Sequence, residues 1–173
     1  TNADIQSGIM ADSLRVGGSL FLRETIVKGG EFWLILASIK GNLDIQNSII
    51  SAAFQADRVS IGGSLIIHKS EIKSKNALTL TGADIKGQCS IRNSYINSKI
   101  ILDAAKIGSN FFLNDCTISA PPQITGAVLD GALDLSGSRL SGLNLAGATI
   151  RGELRLALSK DRSVEWNEGS HLI

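Results

Sequence analysis

The chain has 173 residues, of which 43% are hydrophobic, with 17 basic against 16 acidic side chains and a net charge of +1. One apolar core is within reach, and no whole-molecule field draws in nucleic acid or an anionic membrane. The apolar runs fall far short of the roughly 18 residues needed to cross a bilayer, so neither a nucleic-acid partner nor membrane insertion by this segment is expected.

The chain opens on Thr1-Asn-Ala-Asp, with no initiator Met and no signal-like stretch, and reads as a fragment or a processed form. A glycine frame follows. It runs through Val16-Gly-Gly18-Ser-Leu20-Phe-Leu22, Ile39-Lys-Gly41-Asn-Leu43-Asp-Ile45, Ile61-Gly-Gly63-Ser-Leu65-Ile-Ile67 and Ile85-Lys-Gly87-Gln-Cys89-Ser-Ile91, then Gly131 and Gly152. The steps are 23, 22, 24, 44 and 21 residues, and Ser109 fills the slot that divides the 44. A fixed period of this size marks a solenoid, whose coils bury their apolar sides only by stacking on one another.

Each period holds two similar halves. One places apolar residues at positions 0, +2, +5 and +7, as in Phe32, Leu34, Ala37, Ile39 and in Leu78, Leu80, Ala83, Ile85. The other keeps that frame with a hydroxyl or thiol at +5, as in Leu43, Ile45, Ser48, Ile50 and in Phe111, Leu113, Cys116, Ile118. A +2 step puts two side chains on one face of a short strand, and the +5 and +7 steps carry the chain round a corner to a second inward pair. Helical spacing is absent.

Two kinds of corner alternate. The step that contains Gly41 or Gly87 is always four residues long, and glycine there implies a positive φ or a tight approach between coils. The opposite corner varies from three residues, Leu140 to Leu143, to six, Ile118 to Ile124, and so takes insertions. The expected architecture is all-β, a right-handed parallel β-helix with four sides and about 22 residues per coil. It forms a single domain over 1–173, with repeats from about 9 to 156. Residues 157–173 leave the frame and read as a cap or as the start of a further coil, the latter favoured by Trp166 followed by Leu172-Ile173.

Residues 127–155 divide into Ala-Val-Leu-Asp-Gly, Ala-Leu-Asp-Leu-Ser-Gly, Ser-Arg-Leu-Ser-Gly, Leu-Asn-Leu-Ala-Gly, Ala-Thr-Ile-Arg-Gly and Glu-Leu-Arg. This resembles the pattern of pentapeptide-repeat proteins with one residue inserted, a resemblance that implies a right-handed four-sided β-helix. Ala11-Asp-Ser-Leu14-Arg-Val16-Gly-Gly-Ser-Leu20-Phe-Leu22-Arg23 and Gly152-Glu-Leu-Arg-Leu156 with Trp166 resemble a group of long bacterial proteins often labelled membrane-associated oxidoreductases. These motifs set a fold and carry over no catalytic residue.

Chemistry-bearing residues are sparse. Cys89 and Cys116 fall in different inward columns and read as buried structural thiols. His68 and His171 stand alone, so no metal is expected, and no cofactor motif is present: Gly17-Gly18 and Gly62-Gly63 precede neither a helix nor Lys-Ser/Thr. Asp12, Asp57 and Asp103 share one slot in every second coil. Their spacing of about 10 Å lies near the upper limit of an inverting carboxylate pair, and a solvated, corner-capping role is favoured over catalysis.

A second outward column is apolar: Phe21, Ile66 and Phe112 alternate with Asp44, Ser90 and Asp134, while Trp33 and Ile101 point outward on another face. A recurrent apolar set on a flat sheet fits a protein contact or self-association. The leading expectation is a non-catalytic structural or protein-binding scaffold. The alternative is an enzyme, an oxidoreductase by group label or a carbohydrate-active β-helix. Net charge +1 argues against DNA mimicry, and the mixed outward slots argue against an ice-binding threonine array. The non-adjacent cysteines fit a cytoplasmic protein, with any membrane association carried by parts outside this chain.

Overall fold

Short strands with a side-chain period of two stack in register because each inward slot holds the same kind of residue in successive coils. The computed structural model, which describes residues 3–74, 76–157, 159 and 161–167, is a β-solenoid of about seven turns built from four parallel sheets. Sheet A has eight strands, from Ala3–Ile5 to Glu165–Trp166. Sheet B has five, from Gly8–Met10 to Ile100–Ile101, and is continued by bridges at Gln123 and Asn144. Sheet C runs from Arg15–Val16 to Thr149–Ile150 and sheet D from Leu20–Arg23 to Leu154–Arg155, seven strands each. Among the described residues no helix is long and apolar enough to cross a membrane.

The interior follows the inward frame. Phe32, Leu34, Ile39, Leu43, Ile45 and Ile50 are fully buried, and their counterparts repeat this in the coils that follow. Burying each such side chain contributes roughly 1.5–3 kcal/mol. Phe32 and Phe54 stack with ring centroids 4.4 Å apart. In the first coil Ile5, Ile9, Leu14 and Leu20 are only half-buried, since one side of each lacks a stacked neighbour.

The hydroxyl column forms a ladder at the corner between sheets D and A. The amide of Thr25 donates to Ser48 Oγ, that of Ser48 to Ser70 Oγ, and that of Ser70 to Ser94 Oγ, each at 3.1–3.2 Å. Each hydroxyl in turn donates to a carbonyl, so these buried polar groups are satisfied. Cys116 takes the same slot. Its thiol donates to the carbonyl of Asn114 at 3.2 Å, and burial pushes it up to about 12. Cys89 is buried in the strand column, and both cysteines are free.

The glycine corner corrects one expectation and selects the other. None of Gly41, Gly63, Gly87, Gly131 and Gly152 has a positive φ. They are glycine because the coils touch there: a Cβ on Gly41 would lie 2.9 Å from the carbonyl carbon of Gly18, and one on Gly87 would lie 2.7 Å from the oxygen of Gly63. The amides form rungs, Gly41 to the Gly18 carbonyl, Gly63 to Gly41 and Gly87 to Gly63, at 2.8–2.9 Å. Among the described residues the rung from Ser109 to Gly87 is the one missing, at the slot where serine replaces glycine.

Positive φ instead runs in columns through the two neighbouring corners, mostly without glycine, and falls also on Gly8, Gly30 and Gly142 at the remaining one. Ser13, Leu36, Arg58, Gly82, Ala104, Gly126 and Gly147 form one such column between sheets B and C. Glu24, Asn47, Lys69, Asn93, Asp115 and Gly137 form the other, between D and A. A left-handed residue costs about 1–2 kcal/mol. It persists because its amide bonds the next coil, as Leu36 does to Asp57 and Asp115 to Ser136.

The last coil leaves the frame after Leu156 and resumes it at Val164. Leu135 and Ser138 are three residues apart, whereas Leu156 and Val164, in the same two slots, are eight apart. The five extra residues allow a hairpin, held by an antiparallel bridge between Ala157 and Ser163 and by a 2.7 Å bond from the Val164 amide to the Leu156 carbonyl. Glu165–Trp166 then pairs in parallel with Arg139–Leu140, and Trp166 falls in the inward column above Leu140. His171, Leu172 and Ile173 lie outside the described residues.

Candidate binding face

The outer surface of sheet D carries two columns in strict register. One reads Phe21, Asp44, Ile66, Ser90, Phe112, Asp134, Arg155, and the other reads Arg23, Gln46, His68, Arg92, Asn114. Phe21 is 54% exposed, while Ile66 and Phe112 are half-buried. The polar members between them are the more deeply covered: Asp44 is 2% exposed and Asp134 is 3%. An outward slot is therefore not a wet one. Neighbours one coil away close over the short side chains.

Arg23 explains the first of these. Its guanidinium lies 4.5 Å from the centre of the Phe21 ring, and its Nε donates to Asp44 Oδ2 at 3.0 Å, with Nη2 on the same oxygen. Asp44 Oδ1 is buried without a donor. Three coils on, Arg92 lies 3.9 Å from the centre of the Phe112 ring. These rings carry cations, which adds roughly 0.5–1 kcal/mol at sites of this exposure.

Asp134 sits in a polar cradle. It accepts from the Ser136 amide at 3.0 Å, from Ser136 Oγ at 2.7 Å and from Asn114 Nδ2 at 2.8 Å. Burial works to raise its carboxyl, but the bonds from Ser136 and Asn114 and the charge of Arg155 outweigh this and hold it below the usual carboxylate value.

Around this cradle lies a groove of about 340 Å³, lined by His68, Arg92, Asn93, Phe112, Asn114, Asp115, Asp134, Arg155 and Arg162. Arg162 enters from the inserted hairpin and bonds Asp115 Oδ2 at 2.6 Å. Arg155 bonds Glu153 at 2.6 Å. Sequence reading missed this cluster. Arg92 occupies an ordinary outward slot, and Arg162 belongs to the segment that breaks the frame.

The acidic column has a physical task in every second coil interface. Asp12 Oδ1 accepts the Ile35 amide at 3.2 Å, Asp57 Oδ1 the Thr81 amide at 2.9 Å, and Asp103 Oδ1 the Thr125 amide at 3.2 Å. Each carboxylate caps a backbone donor that the next coil leaves free. Asp103 also accepts from Gln123. Trp33 lies half-buried on sheet B, in one outward column with Met10, Gln55, Thr79 and Ile101. Its indole Nε1 is buried with no acceptor. Among the described residues no group of His, Cys, Asp and Glu gathers at metal-ligand distances.

No family model matches the chain, and no curated protein or solved structure matches it significantly. The fold and its surface therefore carry the functional argument.

Proposed function

We propose that this solenoid is a non-catalytic scaffold that docks a protein partner or a second copy of itself against sheet D. The observation that supports this reading is the column in which Phe21, Ile66 and Phe112 stand outward in alternate coils of sheet D, while Leu22, Leu65, Ile67, Phe111 and Leu113 are buried inside. The Phe21 ring, lying beside the Arg23–Asp44 pair, has the composition of an interface anchor. We relate the coil to pentapeptide-repeat β-helices on the pattern of residues 127–155, and the oxidoreductase label of the similar bacterial group brings no residue with it.

The test is light scattering after size exclusion, with the parent beside a variant carrying Phe21→Ser and Ile66→Ser. Phe112 stays in place because it supports Arg92. The variant keeps its inward residues and its circular dichroism, and it loses association. A variant that folds and associates like the parent removes the contact from this face.

A further inference from the structure

We propose that the groove between sheet D and the inserted hairpin binds a phosphate-type oxyanion, a tetrahedral dianion that is either free or carried as a monoester. The inference is independent of the contact role of Phe21.

Three observations converge on one spot. First, Arg92 has no carboxylate partner among the described residues, and its Nε is buried without an acceptor. Its guanidinium is held over Phe112 at 3.9 Å, so its fork is fixed before any ligand arrives. Arginine at that geometry meets an oxyanion through paired donors, which is the strong form of the charge-assisted hydrogen bond.

Second, the carboxylates in the groove are already committed. Asp134 is closed in by Ser136 and Asn114, and Asp115 is bonded to Arg162. The Glu153 that pairs with Arg155 does not line the groove. Arg155 engages its carboxylate through Nε and Arg162 through Nη2, which leaves further N–H donors on both. Three guanidiniums with N–H donors to spare line the groove, a donor count that suits the several oxygens of a tetrahedral oxyanion better than the two of a carboxylate.

Third, the hairpin that supplies Arg162 is an insertion in an otherwise regular corner. It brings a third cation onto a groove whose other walls belong to the coils of His68, Arg92, Phe112 and Asp134. In solenoids, residues added to a repeat collect where contacts are made.

The experiment is isothermal titration of the full chain with inorganic phosphate and with phosphoserine, using acetate at equal ionic strength as the monoanion control. Saturable binding of a phosphate probe and none of acetate is expected. Tighter phosphoserine binding assigns the monoester, and tighter inorganic phosphate binding assigns the free ion. Arg92→Gln and Arg162→Gln should each weaken binding by roughly tenfold or more. Arg139→Gln, which alters an arginine on sheet A paired with Glu165, should leave binding unchanged. Arg162 is 45% exposed, so its variant keeps the fold and decides the matter even if Arg92→Gln does not fold. Phosphate binding no better than acetate overturns the proposal, and so does an Arg162→Gln protein that binds like the parent.

Discussion

Arg162 donates from Nη2 to Asp115 Oδ2 at 2.6 Å across 47 residues of sequence, and it does so past Gly137 in the intervening coil. A Cβ on Gly137 would collide with Asp115 Oδ1, and the φ of +74° there disfavours any L side chain. Gly137→Ala should cost about 1–2 kcal/mol by urea denaturation, because strain and clash add. Arg162→Ala removes only a pair whose members are 45% and 36% exposed and should cost less than about 1 kcal/mol. The reverse order of the two costs would show that the pair, rather than the glycine, fixes the corner.

Gly18 and Gly41 fill the same slot in successive coils, yet their surroundings differ. Nothing lies within 4 Å of a Cβ on Gly18, whereas one on Gly41 meets the Gly18 carbonyl carbon and the Ser19 amide at 2.9 Å. Gly41→Ala should therefore lower the denaturation midpoint by an amount equivalent to about 1–3 kcal/mol, as overpacking does. Gly18→Ala should be neutral or stabilise by a few tenths of a kcal/mol. Equal effects at the two sites would show that coil contact is not what selects glycine.

Replacing Asp57 by Ala strips the cap from the Thr81 amide, which Oδ1 accepts at 2.9 Å. By analogy with lost helix caps the cost should be about 0.5–2 kcal/mol, and Asn should recover most of it because the oxygen is retained. An Asp57→Ala protein with unchanged stability would return the acidic column to other roles.

Asp134 gives a pH signature. Its carboxyl is held below its unfolded value, so the stability it adds is complete above that value, about 3.9, and is lost as pH falls through the lowered folded pKa. Asp134→Asn should thus be destabilised by about 1–3 kcal/mol at neutral pH, and the gap should close as the medium is acidified below the ordinary carboxylate range. Denaturant midpoints collected along that range check it. A gap that stays constant with pH would show that the cradle does not favour the charged form.

The inward columns were legible because stacking places like on like: Phe32 over Ile9 and Phe54 over Phe32 announce themselves as a period. Gly41 was legible as a constraint but not as to its kind, since sequence alone does not separate backbone approach from positive φ. The left-handed columns were hidden, because Leu36, Arg58, Lys69 and Ala104 are residues that no turn rule selects. There the bonds between coils impose the backbone and override local preference. The burial of Asp44 and Asp134 was hidden for a related reason: Arg23 and Asn114, which bond them, come from neighbouring coils. The groove was least legible, since Arg162 reaches it by crossing two coils.

The return of Val164 to the small-residue slot after five surplus residues shows that this coil closes by lateral pairing and not by counting residues. A corner with that property can be lengthened without shifting the strand beyond it. The Ala157–Ser163 hairpin is thus a ready socket for grafting: a foreign peptide of similar span, joined at Leu156 and Val164, should be displayed on a rigid stem whose remaining faces keep their spacing.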